Sequence, residues 1–538
     1  MGRRSEWQRN MRIALRGAGI DRGTIFWALL SGVLLFLSFP KFGTGLLAWI
    51  AFIPLLHALQ AKTTYQGFVT GFLTGFSAYI GIIYWIAYVV VHYGYLPLPV
   101  GIAVMLLLSA YLALYVALFA AGVVYFHARG VSPILAAPLL WTSLEFAKSH
   151  LLTGFPWENL GYSQYLFAPL IQAADITGVF GLSFAIIFIN VVIFNVLHFR
   201  WSGTDGTRRS TRIAAEITAG CLLMILLFGY GIFRLSDVRK SLDQAPQMPV
   251  SLIQGNIDQS IKWDPAFQEE TVRIYKALTL QAAPAGNGLI VWPETATPFF
   301  FQNQDEMHRE VVSLPRSTGN WLLFGSPSYQ RDGLGLALLN SAFLLSPDGR
   351  IAGQYDKVHL VPYGEYVPLR RFFPFISKLV AGIGDFRSGT GYEPLIMQAA
   401  GRPQKLGVMI CYEGILAEAG QAYRRQGAGL LVNITNDAWF GNTSAPYQHL
   451  SMTAFRSVEN RLYLVRAANT GISAIIDPTG RIEARSTLFE KATLKGTVRF
   501  MNRNTFYSTY GDVFVYGCIL GLILILTMAI KKRSRNHD

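Results

Sequence analysis

The sequence predicts a polytopic α-helical membrane domain that carries a layered α/β domain before its last span. Of the 538 residues, 52% are hydrophobic and only 14% are charged, whereas a soluble chain of this size carries more charge. The apolar residues form long runs between residues 25 and 235 and again after residue 511. Residues 248–500 instead alternate short β-rich runs with polar helical stretches, a pattern typical of an α/β domain.

Eight apolar runs are candidate membrane spans. A membrane helix needs about 20 apolar residues, so the short second and fifth runs are the weakest candidates. The first run ends at Pro40 without the small residues of a cleavage site, which favours an uncleaved span over a signal peptide. The eight runs cover 25–39, 46–59, 68–91, 99–126, 133–146, 179–199, 213–233 and 513–530.

The basic residues predict the orientation of these spans. A net charge of +14 could indicate a nucleic-acid partner, but the basic residues crowd at the ends of the apolar runs. That distribution follows the positive-inside rule and needs no nucleic acid. It predicts a basic cytoplasmic N-terminus, seven spans, an external domain, one more span and a basic cytoplasmic tail. The corresponding boundaries are 1–24, 25–235, 248–500, 511–531 and 532–538.

Three ionisable residues lie in or beside predicted spans, close to the sequence Gly-Phe-Pro-Trp at 154–157. They are Glu145, Lys148 and Asp175. Ionisable groups at membrane depth are candidates for function. A structural ion pair near the outer interface is an equal alternative, and the sequence leaves both open.

The polar region contains seven β-rich runs, and at about 250 residues it is large enough to bury a core of its own. Two of the runs end at residues with catalytic potential. The run at 289–292 leads into Glu294, and the run at 406–410 delivers Cys411. The runs cover 250–254, 289–292, 321–325, 341–345, 406–410, 430–434 and 473–476.

Cys411 is the only cysteine of the polar region, since Cys221 and Cys518 lie inside apolar runs. A lone buried cysteine more often packs than reacts. Here, however, a helix-like segment follows the strand, and a helix N-terminus favours thiolate over thiol. The position is therefore suited to a nucleophile.

Glu294, Lys357 and Cys411 make a chemically complete set. The carboxylate is a general base for the thiol, the thiolate attacks an acyl carbonyl, and the ammonium stabilises the oxyanion with a backbone N–H near Tyr412. A dyad of His359 with Cys411 is a weaker alternative, because Lys357 and His359 would both have to face one site. No set with metal-ligand spacing and no phosphate-binding loop occurs, so no metal or cofactor is expected.

The motifs around these residues resemble the nitrilase, or carbon-nitrogen hydrolase, superfamily and, within it, the apolipoprotein N-acyltransferase family. The resemblance implies an α-β-β-α sandwich and a Glu-Lys-Cys triad at Glu294, Lys357 and Cys411. It extends to the membrane part of the chain. The matching segments are Gln-Gly-Asn at 254–256, Lys-Trp-Asp at 262–264, Trp-Pro-Glu at 292–294, Gly-Glu-Tyr-Val-Pro at 364–368, Ile-Cys-Tyr-Glu at 410–413, Asn-Asp-Ala-Trp-Phe-Gly at 436–441 and Thr-Gly-Phe-Pro-Trp at 153–157.

The resemblance also implies the reaction and its partners. A membrane phospholipid donates an acyl chain to the cysteine as a thioester. The chain then passes to the α-amino group of the S-diacylglyceryl cysteine that begins an apolipoprotein, in the last step of lipoprotein maturation. The implied location is the inner membrane of a diderm bacterium, with the catalytic domain in the periplasm.

Other residues receive supporting roles. Glu365 and Glu413 resemble family carboxylates and are expected to orient Lys357. Tyr412, Trp263 and Trp439 are expected to line an acyl or lipid pocket, although core packing is nearly as common for such tryptophans. The apolar segment 372–384, with Phe372, Phe373 and Phe375, is expected to be a mobile lid that contacts acyl chains, with ordinary core as its alternative.

Two other functions remain open at the level of the sequence. A membrane-tethered nitrilase-type amidase acting on a small substrate shares the triad, but it needs neither eight spans nor an apolar lid. A non-catalytic membrane scaffold is the other alternative, and the intact triad argues against it.

Overall fold

The computed structural model describes residues 20–202, 207–332, 335–362, 364–366 and 386–535. Each of the eight predicted apolar runs coincides with helix in these residues. The helices of the N-terminal half are α1 (Arg22–Phe36), α2 (Ile53–Ala58), α3 (Thr64–Ile82), α4 (Trp85–His92), α5 (Leu98–His127), α6 (Pro133–His150), α7 (Ala168–Ile171), α8 (Ala174–Ser202) and α9 (Thr207–Asp243).

The other helices are α10 (Pro265–Ala282), α11 (Glu306–Thr318), α12 (Ala417–Arg425), α13 (Ala445–Asn460), α14 (Phe506–Tyr510) and α15 (Val513–Arg535).

Within the described residues, four helices, α5, α8, α9 and α15, are long and apolar enough to cross a membrane alone. Helices α3 and α4 meet the same criterion together and are bent by 52° at the break between them. The predicted second span is a 3-10 turn at Leu46–Trp49 followed by the six-residue α2. The eight-span topology therefore stays a prediction.

Small residues allow α3 and α5 to pack closely. Gly67, Gly71 and Gly75 recur every four residues on one face of α3, and all three face α5. A Cβ atom at Gly71 would lie 2.5 Å from that of Ala120, so any larger residue would force the helices apart. Such repeats of small residues are the usual way for apolar helices to approach without a hydrophobic driving force.

The α/β half contains two six-stranded sheets, with the strand orders β12-β1-β2-β3-β4-β5 and β11-β10-β9-β8-β7-β6. The strands are β1 (Gln247–Gln254), β2 (Leu289–Val291), β3 (Trp321–Asp332), β4 (Gly335–Leu345), β5 (Ile351–Asp356), β6 (Leu395–Ala399), β7 (Arg402–Ile410), β8 (Leu430–Thr435), β9 (Tyr463–Ala468), β10 (Ala474–Ile476), β11 (Ile482–Arg485) and β12 (Ala492–Arg499).

Alternation along the strands places a core on each face of the first sheet. Leu289 and Val291 of β2 join the large cluster that also contains the second sheet. Ile290, between them in sequence, joins a separate cluster with α10 and α11. Because successive strand residues point to opposite faces, the sheets pack against each other and helices cover the outside. The predicted α-β-β-α sandwich is confirmed.

The candidate residues follow the ends of strands that meet at one edge of the sandwich. Glu294 lies three residues after β2, Lys357 directly after β5 and Cys411 directly after β7. Helix α13 joins this edge to the helical half through Gln448, whose Oε1 accepts hydrogen bonds from the indoles of Trp157, at 2.8 Å, and Trp85, at 3.2 Å. The fold therefore places the site beside the break between α3 and α4.

Candidate active site

The fold brings Glu294, Lys357 and Cys411 together from three strand ends. The Lys357 Nζ lies 3.7 Å from Glu294 Oε1, and the charges of both residues act on the Cys411 thiol. All three residues are buried, with Lys357 only 1% exposed. Side chains separated by up to 117 positions in sequence therefore form one water-shielded cluster.

The backbone of Cys411 is in the left-handed region, with φ of 53°. A non-glycine residue with positive φ is uncommon and is held there by its surroundings. Here the carbonyl of Cys411 accepts hydrogen bonds from Asn433 Nδ2, at 3.2 Å, and from His449 Nε2, at 3.2 Å. These two donors fix the backbone of Cys411 at the start of a 3-10 turn, Cys411–Ile415.

The Cys411 thiol is protonated at neutral pH. Burial, together with the charge of Glu294, raises the pKa of Cys411 well above its usual range, and Lys357 only partly opposes this. The expected thiolate preference from a helix N-terminus is not realised, since α12 begins only at Ala417 and burial dominates. The thiol consequently needs a base to take its proton during attack.

Glu294 is placed to be that base. Its Oε1 accepts a hydrogen bond from Asn340 Nδ2 at 2.8 Å, and its Oε2 accepts one from the backbone N–H of Asn436 at 2.9 Å. Burial raises the pKa of Glu294, while the neighbouring Lys357 lowers it, and the net shift is upward. A carboxylate with a raised pKa is a stronger base and is suited to proton transfer near neutral pH.

Lys357 remains charged in this buried position. Burial alone would lower the pKa of Lys357, but the carboxylates of Glu365 and Glu294 and the neighbouring Cys411 raise it. The Lys357 Nζ lies 2.8 Å from Glu365 Oε2. Glu365 also accepts hydrogen bonds from Asn340 Nδ2, at 3.0 Å, and from the N–H of Val361, at 2.8 Å. Glu365 thus contacts the Lys357 ammonium directly, and its role in orienting Lys357 stays a prediction.

Glu413 links the Lys357 loop to the strand that carries Cys411. One carboxylate oxygen accepts the N–H groups of Val358 and His359, at 2.8 and 2.9 Å, and the other accepts that of Ile410, at 2.8 Å. The hydroxyl of Tyr355 donates at 2.9 Å. Burial raises the pKa of Glu413 to about 7, against these hydrogen bonds. The side chain therefore ties the loop that follows Lys357 to the end of the strand that precedes Cys411.

The remaining aromatic candidates lie around the cluster. His359 stacks on Tyr412 with ring centroids 5.7 Å apart, so the dyad alternative gains no support. Trp439 packs edge to face on Tyr93 of the helical half, at 4.8 Å. Trp263 is half-buried. Phe372, Phe373, Phe375 and the rest of the expected lid at 372–384 lie outside the described residues.

A second layer of polar residues lies behind Cys411. Arg466 donates to Asp437 at 2.7 Å, and His449 Nδ1 lies 3.1 Å from the other oxygen of Asp437. All three side chains are no more than 1% exposed. We assigned no role to Asn340, Asn433, His449, Asp437, Arg466 or Lys262 from the sequence. One signal was present: Asn433 and Arg466 interrupt apolar strands, where a polar residue needs a specific partner.

The ionisable residues of the helical half have structural partners. Asp175 pairs with Arg461 at 2.7 Å and with Arg234 at 2.9 Å, which joins the helical half to α13's C-terminal end. Glu145 accepts the N–H of Leu160 at 2.6 Å, and Lys148 donates to the carbonyl of Trp157 at 3.1 Å. Asp175 therefore lies in a structural ion pair. Within the described residues Glu145 Oε2 is buried without a hydrogen-bond partner, so both alternatives stay open for Glu145 and Lys148.

No group of three or more His, Cys, Asp or Glu side chains within the described ranges is arranged to hold a metal ion. The cluster itself offers a buried thiol, a carboxylate with a raised pKa and a charged ammonium. Together they can carry out acyl transfer through a covalent intermediate.

The chain matches two known domain families in order. Residues 31–192 match the apolipoprotein N-acyltransferase N-terminal domain, and residues 249–503 match carbon-nitrogen hydrolase. Similar proteins named apolipoprotein N-acyltransferase occur in Geobacter metallireducens, Nitrosomonas europaea and Pasteurella multocida. The first is 49% identical over 96% of this chain and 98% of its own. The second is 33% identical over 87% and 89%, and the third 31% over 93% and 94%.

Proposed function

Since the chain belongs to the apolipoprotein N-acyltransferase family, and is thus an acyltransferase with a carbon-nitrogen hydrolase domain, we propose the following reaction. A membrane phospholipid gives up one acyl chain, and the N-terminal S-diacylglyceryl cysteine of an apolipoprotein receives it as an amide. The reaction completes lipoprotein maturation. The observation that carries the proposal is the convergence of Glu294 and Lys357 on Cys411 beside the helical half of the chain.

The first half-reaction transfers the acyl chain to the enzyme. Glu294 takes the proton from the Cys411 thiol as the sulfur attacks the ester carbonyl. Lys357 stabilises the negative oxygen of the tetrahedral intermediate. The intermediate collapses when the carbon–oxygen bond of the ester breaks. The leaving oxygen takes the proton back from Glu294, and a lysophospholipid departs from the thioester at Cys411.

The second half-reaction transfers the chain to the protein. The neutral α-amino group of the apolipoprotein attacks the thioester carbonyl, and Glu294 accepts a proton from the amine. The carbon–sulfur bond then breaks, and Glu294 returns the proton to the Cys411 sulfur. The result is an amide and the free thiol, so one site serves both substrates in turn.

Lipid substrates require a site near the bilayer, and the position of the cluster supports this. The hydroxyl of Tyr93, just beyond α4, donates at 2.8 Å to the carbonyl of Ala438, on the loop after β8. The apolar side chains on the outside of the helices are open to their surroundings, as at Leu107, which is 73% exposed. Such surfaces suit contact with lipid.

The location and the acyl pocket complete the proposal. The membrane is a bacterial inner membrane, with the α/β half in the periplasm and both termini in the cytoplasm. Tyr412, Trp263 and Trp439 line the acyl or lipid pocket near the cluster.

The test is the covalent intermediate. The purified protein is incubated with acyl-labelled phospholipid, and label that hydroxylamine removes from the protein is measured. We expect such label in the wild type and none in Cys411→Ala. Addition of a diacylglyceryl peptide should then move the label to the peptide amine. A protein that hydrolyses small amides but takes no label from phospholipid would be an amidase, and the proposal would be wrong.

A further inference from the structure

A second buried lysine lies beside the general base, apart from the triad lysine. Lys262 belongs to the connection between β1 and α10 and is only 1% exposed. Its Nζ donates to Thr295 Oγ1 at 2.6 Å and to the backbone carbonyl of Glu294 at 3.3 Å. It thus contacts the main chain of the base and the next side chain, whereas Lys357 lies near the Glu294 carboxylate.

The turn that Lys262 contacts is strained and tightly enclosed. Thr295 has φ of 48°, which is an outlier for a β-branched residue. Gly325 of β3 presses on the turn from the sheet side, since a Cβ atom there would lie 2.5 Å from Thr295 N and 2.7 Å from the Glu294 Cα. A conformation of this kind persists only where neighbours over-determine it. Lys262 supplies polar contacts that hold it.

We propose that Lys262 is a positioning residue for Glu294: its buried amino group holds the Glu294–Thr295 turn in the strained conformation that points the carboxylate at Cys411. The inference rests on the proposed function only in that Glu294 is taken as the general base. Lys262 acts on the reaction through Glu294, and it is distinct from the oxyanion role of Lys357.

The charges around the turn give Lys262 a second effect in the same direction. Burial lowers the pKa of Lys262 to about 7, and Glu294 partly opposes this. Lys262 in turn lowers the pKa of Glu294, more weakly than Lys357 does, whereas Glu365 raises it. The Cys411 thiol is a further ionisable neighbour of Glu294. Below pH 7 Lys262 is charged, so it helps to keep Glu294 ionised where the base would otherwise be lost.

The experiment uses full-length protein in detergent and a small acyl donor, p-nitrophenyl acetate. The burst of p-nitrophenolate measures acylation of Cys411, and Cys411→Ala supplies the blank. The variants are Lys262→Met, Thr295→Val and both together. Lys276→Met, which alters an exposed lysine paired with Glu310, is the matched control.

We expect Lys262→Met to slow the burst about 10²-fold, the size of effect seen when a catalytic group is misplaced by about an ångström. Thr295→Val, an isosteric change that removes the hydroxyl, should slow it about tenfold. The burst rate of the double variant should be within about threefold of that of Lys262→Met. Both single changes break the same contact, between Lys262 and Thr295, so their effects do not add. Loss of the Lys262 charge should raise the pKa of Glu294. In the pH profile of the burst rate, the acidic limb of Lys262→Met should therefore lie at higher pH, a change that purely structural damage does not produce.

Several results would overturn the inference. One is a burst rate in folded Lys262→Met equal to that of the wild type. Another is a double variant whose fold-loss equals the product of the two single losses. A third is an acidic limb of the pH profile that does not move in Lys262→Met. If Lys262→Met does not fold, an unchanged burst in Thr295→Val has the same force. If the wild type shows the burst but takes no label from phospholipid, the proposed function is wrong. The burst rates of the variants still decide whether Lys262 positions Glu294. A wild type without a Cys411-dependent burst would overturn both.

Discussion

The two sheets contribute to the cluster in different ways. The first sheet presents ionisable side chains toward one another: Glu294 after β2 and Lys357 after β5, with Nζ and Oε1 3.7 Å apart. The second sheet presents Cys411 and keeps its charges behind the nucleophile, where Arg466 and Asp437 pair at 2.7 Å. In the proposed reaction, the first sheet therefore supplies the groups that exchange the proton and stabilise the oxyanion, and the second sheet fixes the backbone that carries the sulfur.

The difference shows in the partners of each carboxylate. Glu294 has a raised pKa because burial outweighs the effect of Lys357. For Asp437, burial is outweighed by Arg466 and His449, which hold the pKa well below the usual range. Of these two carboxylates, the one proposed to exchange a proton keeps a raised pKa, whereas the one paired with Arg466 keeps a lowered pKa.

Removal of a reactive group from either side should abolish acylation. Glu294→Gln, Lys357→Met and Cys411→Ala are each expected to reduce formation of the labelled thioester at least about 10³-fold, because the three groups act as a unit. Unfolding temperatures should change little for Cys411→Ala. Glu310→Gln, on the exposed face of α11, is the control. Near-wild-type thioester formation in any of the three would contradict the shared role.

A substitution on the side of the second sheet should lower the free energy of unfolding more than it lowers the acylation rate. Asp437→Asn leaves the buried Arg466 guanidinium without its counter-charge, and breaking such a pair costs about 3–5 kcal/mol. We expect a large fall in the free energy of unfolding. Molecules that remain folded should react at a rate close to that of the wild type, since Asp437 contacts His449 and Arg466 behind Cys411 and exchanges no proton in the proposed reaction. Measurement of thermal unfolding together with the burst per folded molecule separates the two effects. A normal unfolding temperature with a lost burst would reverse the assignment.

How far the sequence predicts this arrangement also differs between the sheets. The strand-end positions of Glu294 and Cys411 follow from apolar runs, and Lys357 was found among aromatic neighbours; all three meet in the structure. All seven predicted β-rich runs are strands. The strand β5, whose residues are largely half-buried or exposed, lacks a continuous apolar run and was not predicted, although Lys357 follows it.

The supporting contacts were less accessible to prediction. Asn340 bridges Glu294 and Glu365 from β4, one residue before the predicted run at 341–345. Periodicity says nothing about which polar side chain meets another. His449 lies on α13, far from Cys411 in sequence, and its role depends on how a helix packs on a sheet. Such contacts depend on tertiary distances, which one sequence does not contain.

The pH dependence of the acylation rate should report on Glu294, which follows a strand of the first sheet. The base form of Glu294 is required, so the acylation rate should fall as the pH drops through its pKa, which lies above the ordinary value of 4.5. Below this limb the rate should fall about tenfold per pH unit. Glu365→Gln removes a charge that raises the pKa of Glu294, so the limb should move to lower pH. A shift to higher pH would show that Glu365 acts mainly through Lys357.

The smallest effect is expected where α13 meets the helical half. Gln448→Leu would leave the indole N–H groups of Trp85 and Trp157 without their acceptor, and a buried donor without a partner costs about 1–3 kcal/mol. Gln398→Leu, on the exposed face of β6, is the control.

Because Gln448 precedes His449 on the same helix, the change separates two properties. The burst with p-nitrophenyl acetate depends on the cluster alone and should stay within about twofold of the wild type, since the loss amounts to a fraction of total stability. Transfer from phospholipid also depends on how the broken helix pair α3 and α4 is held against the cluster, so it should fall more. Equal losses in both assays would mean that the junction supports the nucleophile and does not place the lipid.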